Sequence, residues 1–233
     1  MSLLRASGAA VLLCLASLSS SAAEPKSEEQ KTFYALGVAL SRNLGSFNLT
    51  PAELELVKAG LTDASAGKAT IDLEAYIPKL AELQEQRVVA IAQNERKAGQ
   101  AFIDKAAAEK GATKTASGIV IKETKAGTGA SPTVSDTVRV HYQGTQLDGE
   151  VFDSSRERNE PVTFPLQGVI PCWTEALQTM KVGGQSRIVC PPDLAYGDRG
   201  SGSIKPGSTI VFDVELLDIL PASDATPQAP PQQ

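Results

Sequence analysis

The side chains available for chemistry in this chain are few. One histidine, His141, serves all 233 residues, and no serine, histidine and acid stand together as a nucleophilic triad. No cluster of residues reads as a metal-ligand set either. The conspicuous residues are aromatic, and each sits in a short distinctive stretch. Tyr142 lies in Val140-His141-Tyr142-Gln143-Gly144, and Phe152 and Asp153 lie in Asp148-Gly149-Glu150-Val151-Phe152-Asp153-Ser154-Ser155. Trp173 closes Val169-Ile170-Pro171-Cys172-Trp173, Tyr196 is central in Ala195-Tyr196-Gly197, and Phe212 falls in Ile210-Val211-Phe212-Asp213-Val214-Glu215-Leu216-Leu217. The chemistry open to such a set needs neither a nucleophile nor a metal. Taken singly, Trp173, Phe152 and Phe212 read as core aromatics, Tyr142 as a strand tyrosine, and Asp153 as a turn residue before two serines.

The elements that must position these residues are mostly strands. Ile119 to Ile121, Thr137 to Tyr142, Ser186 to Cys190 and Ser208 to Leu220 carry β-branched and alternating patterns. Turn signals separate them at Leu147-Asp148-Gly149 and Val182-Gly183-Gly184. One helical pattern interrupts, from Trp173 to Met180. Alternation puts His141 on the sheet face opposite Tyr142, as a strand residue without a catalytic role.

Residues 24–111 read as helices. Phe33, Leu36, Gly37, Leu40 and Leu44 recur at helical spacing until Asn43, Gly45, Ser46 and Asn48 break the pattern. Thr50-Pro51-Ala52-Glu53 combines an N-cap, a proline at the first helical position and a glutamate at the third, opening a helix with Leu54, Val57 and Leu61. A third pattern runs from Asp72 to about Lys110, a rod of about 58 Å at the standard rise. Pro78 predicts a kink or restart inside it. So polar a rod implies a connecting element or part of an interface, and its Arg and Lys read as a solvated face.

The ends differ from both halves. Residues 1–23 hold Arg5, an apolar run from Ala9 to Leu18, and small residues at Ser21 and Ala23, the pattern of a cleaved signal peptide. Cys14 would leave with it. The run is too short to span a bilayer. After Leu220 the Pro-, Ala- and Gln-rich tail, residues 221–233, is expected to be disordered. Net charge is −5, with 11 basic and 13 acidic side chains in residues 24–111 and 10 and 13 in 112–220, so no basic excess favours nucleic acid. Export leaves Cys172 and Cys190 in an oxidising compartment, either paired or as two buried thiols.

Together, the stretches around Tyr142, Phe152, Trp173, Tyr196 and Phe212 resemble the FKBP family of peptidyl-prolyl cis-trans isomerases, over about Ser117 to Leu220. The helical region before them is similar, in pattern and layout, to the dimerisation region of the Mip and FkpA class of exported FKBPs. The resemblance implies an α+β protein: a signal peptide (1–23), a helical dimerisation arm with a long connecting helix (24–111), a half-barrel isomerase domain with a twisted antiparallel sheet around one short helix (112–220), and the tail. It implies a prolyl pocket with Trp173 as floor, with Tyr142, Phe152, Tyr196 and Phe212 around it, and with Asp153 at the rim. Val162, Phe164, Val169, Ile170 and Ile204 complete the substrate-binding set. Val162 stands where many members have an aromatic, which widens the pocket, and Cys172 stands where many have glycine. The loop Asp198 to Lys205 is slightly shorter than in the smallest members.

Further expectations follow from that resemblance. Asp153 pairs with Arg158, with Tyr142 nearby, and holds the pocket mouth. Cys172 and Cys190 form a disulfide, since the strand ending at Cys190 packs beside the helix entry in the family fold. No cofactor and no metal are required. Partners are proline-containing polypeptide clients, macrolide inhibitors, and a second copy bound through the first helices, in the periplasm, with outer-membrane association left open. A holding chaperone whose isomerase domain mainly supplies grip is the alternative. A binding module with a dead pocket is disfavoured by intact Tyr142, Asp153, Trp173 and Tyr196.

Overall fold

A computed structural model describes residues 24–220. The expected signal peptide, with Cys14, and the expected disordered tail lie outside the described residues. The described residues divide into two compact units that part between Gly45 and Ser46.

In the first unit, α1 spans Glu28–Ser41. It starts at Ser27 because two orphan groups satisfy each other there. The Ser27 hydroxyl accepts from the Gln30 amide at 3.1 Å, and the Gln30 side chain accepts from the Ser27 amide at 3.2 Å. None of its residues is buried. A 3-10 turn, Arg42–Phe47, follows where the sequence pattern breaks.

In the second unit, α2 (Pro51–Ser65) opens at the predicted cap: Thr50 and Glu53 form a capping box with Pro51 in the first turn. Glu53 also takes an ion pair from Arg87. That arginine belongs to α3, which runs unbroken over Leu73–Ala107 from its Asp72 cap. The expected restart at Pro78 does not occur. Pro78 is the sixth residue of the helix, so the only bond it forgoes is the one its missing N–H would have made to the Glu74 carbonyl, one turn from the end. The helix stops at Ala107, slightly short of the expected Lys110.

The remaining chain forms β1 (Ala112–Lys114), β2 (Val120–Lys125), β3 (Thr137–Thr145), β4 (Val151–Ser154), β5 (Val162–Pro165), α4 (Pro171–Leu177), β6 (Gln185–Cys190) and β7 (Ile210–Leu220). The strands make one antiparallel sheet in the order β1-β2-β6-β7-β3-β4, with β5 also paired to β3. Strands β4 and β5 share one long edge of β3, at Gln143–Thr145 and Thr137–Val140 respectively.

Both faces of the central strands are covered. Along β7, Ile210, Phe212, Val214 and Leu216 point into the main core with Trp173, Ala176 and Leu177 of α4. Val211, between them, joins Val120 and Val189 on the other face, against Ile103 and Ala106 of α3. The last half of α3 is therefore built into the same unit as the sheet. Ala92 and Gly99 fit against the segment leading into β7, and Ile103 and Ala106 against the strands, so that these residues form a narrow seam along the helix. At Gly99 a Cβ would stand 2.1 Å from Thr209 Oγ1, so only glycine permits this approach.

Candidate active site

Between the sheet and α4 lies a cavity of about 250 Å³. Its lining comes from separate elements: Tyr142 from β3, Phe152 and Asp153 from β4, Val162 and Phe164 from β5, Gly168, Val169 and Ile170 from the turn into α4, Trp173 from α4, and Tyr196 and Phe212 from the loop before β7 and β7 itself.

The aromatic rings hold one another by their edges. Trp173 meets Tyr142 at 5.1 Å and Phe212 at 5.0 Å, near-perpendicular in both cases, and Phe164 at 5.2 Å. Phe152 stands 5.7 Å from Phe212 and 6.2 Å from Tyr196, again edge to face. Edge-to-face packing suits the ring quadrupoles and fixes the walls without filling the space. Gly144, beside them on β3, leaves that room: a Cβ there would come within 2.4 Å of Phe152 Cζ and 2.9 Å of Phe212 Cε1.

The polar groups gather at one side. Tyr142 donates its hydroxyl hydrogen bond to Asp153, Arg158 donates to the same carboxylate, and the Arg158 guanidinium also reaches the Tyr142 oxygen at 3.4 Å. The anticipated Asp153–Arg158 pair is thus present, with Tyr142 as its third member. Ser155 fixes the strand that carries Asp153. Its hydroxyl accepts from the Tyr142 amide at 2.8 Å and donates to the Tyr142 carbonyl at 3.2 Å. His141 faces away from Tyr142 along the strand and meets the Ser155 hydroxyl through Nδ1 at 3.0 Å. Trp173 Nε1 is buried and makes no hydrogen bond within the described residues.

Burial first, and then the bond to Asp153, push the Tyr142 hydroxyl well above the ordinary tyrosine range. The folded state therefore favours the protonated phenol. Its stabilising contribution is complete below the unfolded value and is lost only as pH rises through the raised one. Any activity that uses this hydroxyl should accordingly keep a level kcat/KM from neutral pH through about 10, the ordinary tyrosine pKa. A fall centred near that pH in the parent, absent from Tyr142→Phe, would contradict the arrangement.

Of the expected site residues, the structure brings all but Ile204 onto this cavity. Ile204 is buried in the adjoining core, where its backbone pairs with Ser201 and closes the loop tip. Gly168 lines the cavity and was not anticipated; a glycine in a short 3-10 turn offers no side-chain signal. Cys172 and Cys190 are bonded, with Cα atoms 5.7 Å apart, and neither lines the cavity. Among the described residues, no group of three or more His, Cys, Asp or Glu is placed to hold a metal ion, and no helix is long and apolar enough to cross a membrane.

Comparison with known proteins matches two family models: the FKBP-type peptidyl-prolyl cis-trans isomerase domain over residues 129–217, and the domain amino-terminal to it over residues 29–122. The FKBP-type peptidyl-prolyl cis-trans isomerase FkpA of Escherichia coli (strain K12) is 42% identical over 222 residues, spanning 88% of this chain and 81% of that protein. The FKBP-type 22 kDa isomerase of the same organism is 40% identical, over 82% of this chain and 96% of its own length. Among solved structures, Escherichia coli FkpA superposes with a TM-score of 0.66 at 38% identity, covering 84% of this chain and 99% of that one. A peptidyl-prolyl isomerase of Pseudomonas syringae gives 0.52 at 37% identity, covering 56% and 96%.

Proposed function

The chain belongs to the FKBP-type peptidyl-prolyl cis-trans isomerases, and from that premise we propose that it turns X-Pro bonds in the Trp173 cavity, on clients exported to the periplasm, as a homodimer joined through α1. It is a peptidyl-prolyl cis-trans isomerase of α+β fold, with helices preceding an antiparallel sheet.

Amide resonance opposes rotation with a barrier of roughly 18–20 kcal/mol, and X-Pro exchange unaided takes about tens to hundreds of seconds. At the twisted transition state the amide loses resonance and with it charge separation. Water favours the planar, more polar ground state, so transfer into a dry aromatic cavity favours the twisted one. The observation that carries this reading is the aromatic cavity itself: Trp173, Phe164 and Phe212 enclose it, and the polar side chains are engaged with one another at one side. In this reading Tyr142, Phe152, Asp153, Trp173, Tyr196 and Phe212 form the catalytic set. Val162, Phe164, Val169 and Ile170 complete the prolyl seat, which would also take a macrolide inhibitor. The test is the rate of cis-trans exchange in a short proline peptide, with and without such an inhibitor. Acceleration that the macrolide abolishes is expected; exchange at the uncatalysed rate would overturn the reading.

Dimerisation is supported by α1, where Phe33 is 66%, Leu36 58% and Leu40 45% exposed. An apolar stripe of this size is a liability unless it is covered, and Gly37 has open space for a second backbone to approach. Light scattering at micromolar concentration should give twice the monomer mass, and Leu36→Asp with Leu40→Asp should give the monomer mass. A monomeric parent refutes the dimer.

A holding-chaperone role has its own support in the second unit. There Leu56, Leu61, Ile71, Leu73 and Ile77 are exposed on α2, on α3 and between them, apolar surface that suits unfolded chains. Removing α1 and α2 while keeping α3 should then abolish aggregation suppression while turnover of a short peptide persists.

A further inference from the structure

The loop that carries Tyr196 rests on α3. Four residues of that helix at one-face spacing, Ala92, Glu95, Arg96 and Gly99, meet the segment from Asp193 to Thr209. Gly207 lies so close that a Cβ would stand 2.5 Å from the Ala92 carbonyl oxygen. Lys205 bridges Glu95 at 3.9 Å and Asp148 at 2.9 Å. Arg96 makes the most directed contacts. Its Nη1 donates to Asp193 at 3.0 Å, Nη2 donates to the other oxygen of that carboxylate, and Nε donates to Asp198 at 2.7 Å. One guanidinium thus holds two carboxylates from either side of Tyr196, and Tyr196 meets Phe152 across the cavity.

We propose that Arg96 is a positioning residue for the isomerase site, setting the loop that presents Tyr196. The inference rests on the cavity being the site. Single exposed ion pairs anchor weakly, but a planar fork engaging two carboxylates constrains orientation as a point charge does not. The loop closes on itself through short turns, through Gly207 N–H to the Gly197 carbonyl at 2.9 Å and through the Ser201–Ile204 pair, and its far side is held by Gln146, which donates to the Ser203 carbonyl and accepts from the Lys205 amide, each at 3.2 Å. The near side, Asp193 to Asp198 with Tyr196 between them, is the part that the Arg96 fork orients. The hydrogen bonds from Arg96 hold the Asp193 carboxyl below its ordinary range, so the clamp stays charged through neutral pH.

The experiment compares Arg96→Ala and Arg96→Lys with the parent chain. It measures kcat/KM on a short proline peptide, hydrogen exchange of loop amides 194–204, and melting temperature. Arg96→Ala is expected to lower kcat/KM about fivefold, within the range typical of coupled positions. The loop amides should exchange faster, and the melting temperature should change little. Arg96→Lys should recover only part of the activity. In a Tyr196→Ala background the Arg96→Ala loss should disappear, because the two act as a unit. Parental kcat/KM in folded Arg96→Ala, or the same loss with and without Tyr196, overturns the inference. Should Arg96→Ala fail to fold, Asp193→Asn with Asp198→Asn removes the clamp from the other side, and parental activity there overturns it equally. A parent chain inactive on the peptide would sink the site reading and this inference with it; an active parent with an unaffected Arg96→Ala sinks this inference alone.

Discussion

Trp173→Ala is expected to remove most isomerase turnover and most macrolide affinity, and Phe212→Ala to do nearly the same. Trp173 is only 5% exposed and packs edge-on against Tyr142 and Phe212 while also touching Phe164. Truncation deletes the surface against which a prolyl ring would lie and frees three neighbours to move. Ring pairs of this kind are worth about 0.5–1.5 kcal/mol each. Losing two or three spans about 1–4.5 kcal/mol, which at about 1.4 kcal/mol per tenfold bounds the loss in kcat/KM between roughly 5-fold and 1,000-fold or more. The fold is weakened as well, by about 3–5 kcal/mol for a buried aromatic truncated to alanine, so melting curves and far-UV spectra must accompany the kinetics. Phe152→Ala is the useful companion, because its ring is only half-buried and its loss opens one wall with less damage to the core. Folded Trp173→Ala and Phe212→Ala proteins with parental turnover and affinity would remove the cavity from the mechanism.

Much of the site's framework was legible because its elements obey simple periodicities. The alternation of Ile210, Phe212, Val214 and Leu216 announces one buried face of β7. The Thr50-Pro51-Ala52-Glu53 cap marks the start of α2 to the residue. Less legible were β1, β4 and β5, each of three or four residues. A run that short has no period to detect, and it becomes a strand only because a longer neighbour supplies the hydrogen bonds. The same holds for α3. Its polar sequence reads as a connecting element or part of an interface without saying which face packs, and small residues at Ala92, Gly99 and Ala106, spaced by heptads, let it lie against the sheet and the Tyr196 loop. Small residues contribute fit rather than hydrophobicity, so apolar patterning passes over them.

Reducing the Cys172–Cys190 bond should lower thermal stability markedly and peptide affinity hardly at all. Both cysteines are fully buried in the main core. Cys172 sits one residue before Trp173 at the start of α4, and Cys190 ends β6 just before the segment leading to Tyr196. The bond closes a loop with a sequence separation of 18, for which the chain-entropy argument gives about 3 kcal/mol. For a chain of this size each kcal/mol shifts the melting temperature by about 2–4 °C, so a fall of roughly 6–12 °C is expected. Neither cysteine lines the cavity, so Kd for a macrolide should stay within about twofold, the scale of a few tenths of a kcal/mol. Two measurements check this. Alkylation of the unreduced, denatured protein, prepared from an oxidising compartment, should label neither Cys172 nor Cys190. A Cys172→Ala, Cys190→Ala double variant should melt lower than the oxidised parent and be indifferent to reductant. Labelling of both cysteines in the unreduced sample would show that the bond does not form. A double variant as stable as the oxidised parent would show instead that the bond forms but that core packing alone holds α4 against β6.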